Sequence, residues 1–148
     1  MANTTVQAAT EAIAQAYQGY VAELKLAGPH WERKPAAGGE GEEAWCARQV
    51  AEHVAGAATF FGAGIAGGMG VEGPARMQSE FASVAAAIPG TEKAHAALMG
   101  VVNQMSDEQL AIELDAPRLG KRSLGEFLGI IAYHLTDHAG QLKTLRGG

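Results

Sequence analysis

Leu124, Phe127, Leu128, Ile131, Leu135, Leu142 and Leu145 recur at intervals of three and four residues. A stripe with that period lies on one face of an α-helix and has to be covered by another element. His134 and His138 fall inside the same stripe, four residues apart in the run H-L-T-D-H, so their imidazoles point the same way one turn apart. His53 has the same relation to Val50, Val54, Ala57 and Phe61. An imidazole on an apolar face needs a partner for its ring nitrogens, and three of them on helices that pack together can share one. The chain is therefore constrained to a packing in which His53 faces His134 and His138.

The 148 residues suit a single domain spanning 1–148. Much of the apolar content is alanine, which favours helix, and no stretch alternates β-branched and polar residues, so the expected class is all-α. A formal net charge of -5 with no concentrated basic surface argues against nucleic acid as a partner. Cys46 is the only cysteine, which excludes an intrachain disulfide, and the start carries no signal-peptide pattern, so the expected location is the cytoplasm. Val54 to Val71 has no charged residue, yet its glycine content and low Leu/Ile density read as a buried helix running into a flexible loop and not as a membrane span.

Four main helices are predicted. The first starts near Thr4, with Gln7 completing a capping box, and carries Val6, Ile13, Tyr17, Tyr20, Val21 and Leu24 until Gly28-Pro29 stops it. Residues 29–44 form a polar, Gly/Pro-rich connector. The second helix runs from about Cys46 to about Ala66, where GAGIAGGMG is expected to dissolve it, each Gly costing about 1 kcal/mol relative to Ala. Residues 75–104 read as helix split at Pro89-Gly90. Ser106 to Gln109 is a second capping box opening one short turn, and Ser123-Leu124-Gly125-Glu126 is a third, opening the last helix, which Gly147-Gly148 ends.

Imidazoles from two helices suit zinc, nickel or iron(II), and three protein ligands with open positions describe a reactive site more than a structural one. His53, His134 and His138 are the candidate ligands. His30, in the connector, and His95, at a rim position, read as structural. Other templates fail. H-L-T-D-H lacks the glutamate of H-E-x-x-H, and only Glu92-Lys93-Ala94-His95 has the Glu-x-x-His form that a di-iron bundle needs twice. Spacing assigns no catalytic or thiol-binding residue. Gln141, Glu52 and Asp137 are candidates to hold the imidazoles from behind, and Tyr17 and Tyr20 to line a pocket.

Trp45-Cys46-Ala47-Arg48-Gln49-Val50-Ala51-Glu52-His53-Val54 resembles the second-helix signature of the DinB/YfiT-like metal-dependent bundle family. Ile131 to Leu142 resembles its last helix, with the motif H-x-x-x-H-x-x-Q, and Leu98 to Leu110 resembles the stretch before it. Cys46 stands where the family more often has Ser or Thr. The resemblance implies an up-up-down-down four-helix bundle with one divalent transition metal (Zn, Ni, Fe or Mn) on His53, His134 and His138. It further implies a transferase or isomerase that works on a small-molecule substrate with a low-molecular-weight thiol such as mycothiol, bacillithiol or glutathione; a homodimer is expected. A second reading is a non-catalytic metal-binding or stress-related bundle. With the bundle reaching the last residues, the extra C-terminal domain of some mycothiol-dependent isomerases is not expected.

Overall fold

The computed structural model describes residues 5–35, 38–116 and 119–147. Four helices dominate: α1 Val6–Lys25, α2 Ala47–Met69, α3 Val84–Val102 and α4 Leu124–Gly147. α1 packs chiefly on α4 and α2 on α3, with α2 against α4 closing the bundle. The all-α bundle expected from the apolar stripes is what forms, around Ile13, Tyr20, Leu24, Val50, Leu98, Val102, Leu124, Leu128 and Leu142, all nearly or fully buried.

Contacts at the helix ends give the directions. The Val6 amide donates to Asp107 Oδ1 (2.9 Å), just beyond α3, while Glu23 and Arg146 pair at 2.9 Å near the ends of α1 and α4. α1 and α4 therefore run parallel. α2 opens beside the end of α1, where the Arg48 amide donates to the Trp31 carbonyl (2.9 Å), and the chain enters α3 beside the start of α2, where the Phe81 amide donates to Glu52 Oε2 (2.8 Å). The order is up-down-down-up, and the implied up-up-down-down order is corrected. The cause lies in the two long connections. The first folds at one end of the bundle into 3-10 turns, Gly28–His30 and Gly41–Ala44. The second, residues 70–83, carries the chain back along the bundle before α3 begins.

Helix boundaries depart from expectation where packing overrides propensity. Thr5 caps α1, its Oγ1 accepting from the Ala8 amide (3.0 Å), and Thr4 lies outside the described residues. α2 runs through its glycines to Met69 and ends at Gly70, whose φ of 72° is the left-handed cap that favours glycine. The glycines carry close packing: a Cβ on Gly62 would sit 3.0 Å from Pro74 Cγ, and one on Gly68 3.0 Å from Leu114 Cδ2. α3 is continuous through Pro89, although residues 75–82 are not helical. Proline in that second turn forgoes a bond to the Ala85 carbonyl, but both residues face solvent, where water can take the bond's place.

Between α3 and α4 the predicted short turn forms as a 3-10 helix, Asp107–Ala111, with Gln109 Oε1 accepting from the Ser106 amide (2.9 Å). A short antiparallel hairpin follows, β1 Glu113–Ala116 with β2 Gly120–Ser123, which the sequence reading did not contain. The capping box of α4 is present in both halves, Ser123 Oγ accepting from the Glu126 amide (3.1 Å) and Glu126 Oε1 from the Ser123 amide (3.2 Å).

Two glycines of α3 test this account. A Cβ on Gly90 would lie 2.4 Å from the buried Phe81 ring, whereas one on Gly100 meets nothing within 4 Å. Gly90→Ala should lose about 1–3 kcal/mol by overpacking, and Gly100→Ala should gain up to about 1 kcal/mol from helix propensity. Urea unfolding reads both, and shifts of the same sign would refute the packing role given to Gly90.

Candidate metal centre

His53 lies in the second turn of α2, at the end of the bundle where α4 finishes, so the two helices bring all three predicted histidines together. One ring nitrogen from each of His53, His134 and His138 lies within 4.8 Å of the others, a group that could hold a metal ion. His134 Nε2 is 2.9 Å from His53 Nε2 and 3.1 Å from His138 Nε2. His138 is buried, while His53 and His134 are half-buried. Trp45 covers His53 with ring centroids 4.9 Å apart, and Phe61 meets His134 edge-on at 5.7 Å.

Gln141 sets the tautomer of His138. Its Nε2 donates to the Glu42 carbonyl (2.7 Å), an acceptor only, so its Oε1 faces His138 Nδ1 at 2.8 Å. Nδ1 must then carry the proton, which leaves His138 Nε2 as a bare lone pair aimed at the other two rings. A neutral His134 cannot satisfy both contacts. Its Nε2 offers either one lone pair, which then faces the bare His138 Nε2, or one proton, which must be split between two nitrogens.

A cation accepting all three lone pairs removes the conflict. Metal–nitrogen bonds of roughly 2.0–2.1 Å at tetrahedral angles put ligand nitrogens about 3.3 Å apart, close to the short separations seen. The electrostatics agree. Burial, reinforced by His138 and His53, pushes His134 down to about 3, and burial with His138 lowers His53 against the opposing pull of Glu42. Both rings are thus neutral near pH 7, the form that binds metal.

The other candidates fall elsewhere. Glu52 is occupied by Arg48 Nε (3.0 Å) and the Phe81 amide (2.8 Å), and Asp137 is exposed on α4. Of the three residues considered for holding the imidazoles, Gln141 alone does so. Cys46 is a buried residue at the start of α2. His30, read as structural, is buried, and its Nε2 lacks a hydrogen-bond partner among the described residues.

His95 needs correction. It does not sit at the rim but stacks on Tyr17, centroids 3.7 Å apart and planes 4° off parallel, because its face of α3 turns inward towards α1. The two rings line a cavity of about 20 Å³ that reaches His134 and also touches Thr91 and Phe61. Burial pushes His95 down to about 4, and burial with Glu92 pushes the Tyr17 hydroxyl up to about 12. Tyr17 OH and Thr91 Oγ1 are buried without a hydrogen-bond partner among the described residues, in a space large enough for about one water. Tyr17 is a pocket residue, as the sequence allowed, whereas Tyr20 is fully buried packing.

Glu42 is the neighbour that the sequence concealed. It sits within Gly-Glu-Gly-Glu-Glu, which reads as solvated connector, yet its Oε1 is 3.8 Å from His138 Nε2. The left-handed backbone at Gly41, φ 58°, starts the turn that brings it there.

The fold and site define a class: a helical bundle with a three-imidazole centre between two of its helices. A family model described as the DinB superfamily matches residues 9–142, and the chain belongs to that superfamily. Neither a curated protein nor a solved structure matches it. Among the described residues, no helix is long and apolar enough to cross a membrane.

The conflict among the imidazoles predicts how the metal-free protein behaves. In chelator, His134→Leu should change stability by less than about 1 kcal/mol, because an apolar side chain replaces a polar group whose contacts are incompletely satisfied. A loss of about 3 kcal/mol or more in thermal or urea unfolding would make the triad a structural polar core instead.

Proposed function

We propose that the chain acts as a single domain holding one divalent transition cation (Zn, Ni, Fe or Mn) on His53, His134 and His138. In this reading it is a metal-dependent transferase or isomerase that works on a small-molecule substrate with a low-molecular-weight thiol. The observation that carries it is the convergence of three Nε2 atoms, with His138 Nδ1 engaged by Gln141 so that its Nε2 is free. When bound, the cation would supply Lewis acidity that lowers the pKa of a thiol reaching it.

The chain's own residues divide the remaining work. Gln141 orients His138, while Trp45 and Phe61 pack on the ligand rings and limit water around them. The Gly-rich end of α2 offers a route for substrate. Gly64, Ile65, Phe60, Phe61, Leu114 and Phe127 line a largely apolar recess of about 360 Å³, within the range of small-molecule pockets. Phe61 belongs both to this recess and to the small cavity beside His134, so an electrophile lodged in the recess lies one side chain away from the imidazoles.

Zinc titration of untagged protein tests the ligands. His53→Ala should abolish stoichiometric binding and His95→Ala should retain it; the reverse pattern would refute the assignment. Turnover of electrophiles with mycothiol, bacillithiol or glutathione on metal-loaded protein tests the reaction. No thiol binding and no turnover would leave the non-catalytic, metal-binding bundle as the function.

The proposal includes a homodimer in the cytoplasm. Leu26 and Tyr133, 50% and 71% exposed, are large apolar side chains open to solvent on which a second copy could seat. Sedimentation equilibrium should find twice the chain mass of 15.3 kDa, and a species at that mass itself would make the protein a monomer.

A further inference from the structure

We propose that Glu42 is a fourth, displaceable protein ligand of the cation site, a carboxylate delivered by the connector onto the side of the triad that α2 and α4 leave open. This inference rests on the triad reading above and adds to it a residue outside the helices. Glu42 Oε1 lies 3.8 Å from His138 Nε2, the nitrogen that Gln141 leaves bare. Ligand atoms around a tetrahedral zinc are separated by roughly 3.2–3.4 Å. The carboxylate is near that distance from His138 but stands outside the 4.8 Å cluster of the three rings, so rotation of this exposed side chain has to carry it in towards His53 and His134.

The backbone at Glu42 is held for this task. Gln141 donates to its carbonyl at 2.7 Å while accepting from His138 Nδ1 at 2.8 Å, so one amide fixes both a ligand ring and the turn that carries the carboxylate. Charge points the same way. Three neutral imidazoles leave both positive charges of a divalent cation uncompensated in a half-buried site, which favours a nearby anion. Among the described residues no Lys or Arg lies within 4.0 Å of the Glu42 carboxylate, and the one basic side chain that does is the neutral His138. The other acids near the site are less suited: Glu52 is held by Arg48 and the Phe81 amide, and among the described residues Glu42 is the one acid with a carboxylate oxygen within 4.0 Å of a triad imidazole nitrogen.

The same geometry explains why the carboxylate is displaceable. Its side chain is 58% exposed and sits on a short 3-10 turn, whereas the histidines sit on long packed helices. Water, or the sulfur of an arriving thiol, can take its place without moving a helix. Glu42 thereby reconciles a site that holds its metal firmly at rest with one that opens a position to a small molecule.

Cobalt(II) titration of the untagged protein separates this inference from the triad. The readouts are the d–d absorption spectrum, which reports ligand number and type, and the dissociation constant from chelator competition. Wild type should bind one Co²⁺ per chain, while Glu42→Ala and Glu42→Gln should weaken binding by about tenfold or more and change the spectrum. Glu43→Ala should alter neither readout. Unchanged affinity and spectrum in both Glu42 variants, with wild type still binding, would overturn the fourth ligand and leave the triad standing. Wild type that binds no Co²⁺ would overturn both.

Discussion

Bare lone pairs of neighbouring imidazoles repel at about 3 Å unless something positive lies between them. That electrostatic constraint organises this end of the molecule. His134 Nε2 stands 2.9 Å and 3.1 Å from its two neighbours, and a neutral ring has only one proton or one lone pair there for the two contacts. The apolar cover of Trp45 and Phe61 raises the cost of the conflict, and burial keeps His53 and His134 neutral, which suits them to a cation. Stability is spent here on a site poised to receive charge.

The fold supplies the rigidity that such a site requires. His134 and His138 share one turn of α4, and His53 comes from α2, which begins where α4 ends because the first connector stays at that end of the bundle. Helix packing against Leu128, Leu135, Leu142 and Val50 holds the rings more closely than loops could. The connector has its own part. Its second turn places Glu42 over His138 and is pinned by Gln141, so the longest irregular stretch before α2 is tied to the centre of the chemistry.

What was legible in the sequence was whatever period 3.6 carries. The stripe from Leu124 to Leu145, the inward placement of His53, His134 and His138, and the capping box at Ser123 all follow from local spacing, and all appear in the structure. Local rules failed where a residue's role depends on a partner far along the chain. The glycines of α2 read as helix breakers until Pro74, Leu98 and Leu114 are seen packed against them. Pro89 read as a break because its exposure, which makes the missing bond cheap, is a tertiary property. His95 read as surface because nothing in Glu92-Lys93-Ala94-His95 announces Tyr17 across the bundle. Glu42 was invisible for the same reason, as its meaning comes from Gln141 and His138, almost a hundred positions away. The hairpin of four-residue strands is too short to leave a periodic signal.

The central claim is that the three Nε2 atoms hold one cation, and X-ray absorption of the zinc-loaded, untagged protein tests it most directly. The account predicts one zinc per chain with three imidazole nitrogens at about 2.0–2.1 Å, identified by the multiple scattering of their rings. Zinc bound through fewer imidazoles, or through sulfur at about 2.3 Å, would contradict it, as would protein that takes up no zinc at all.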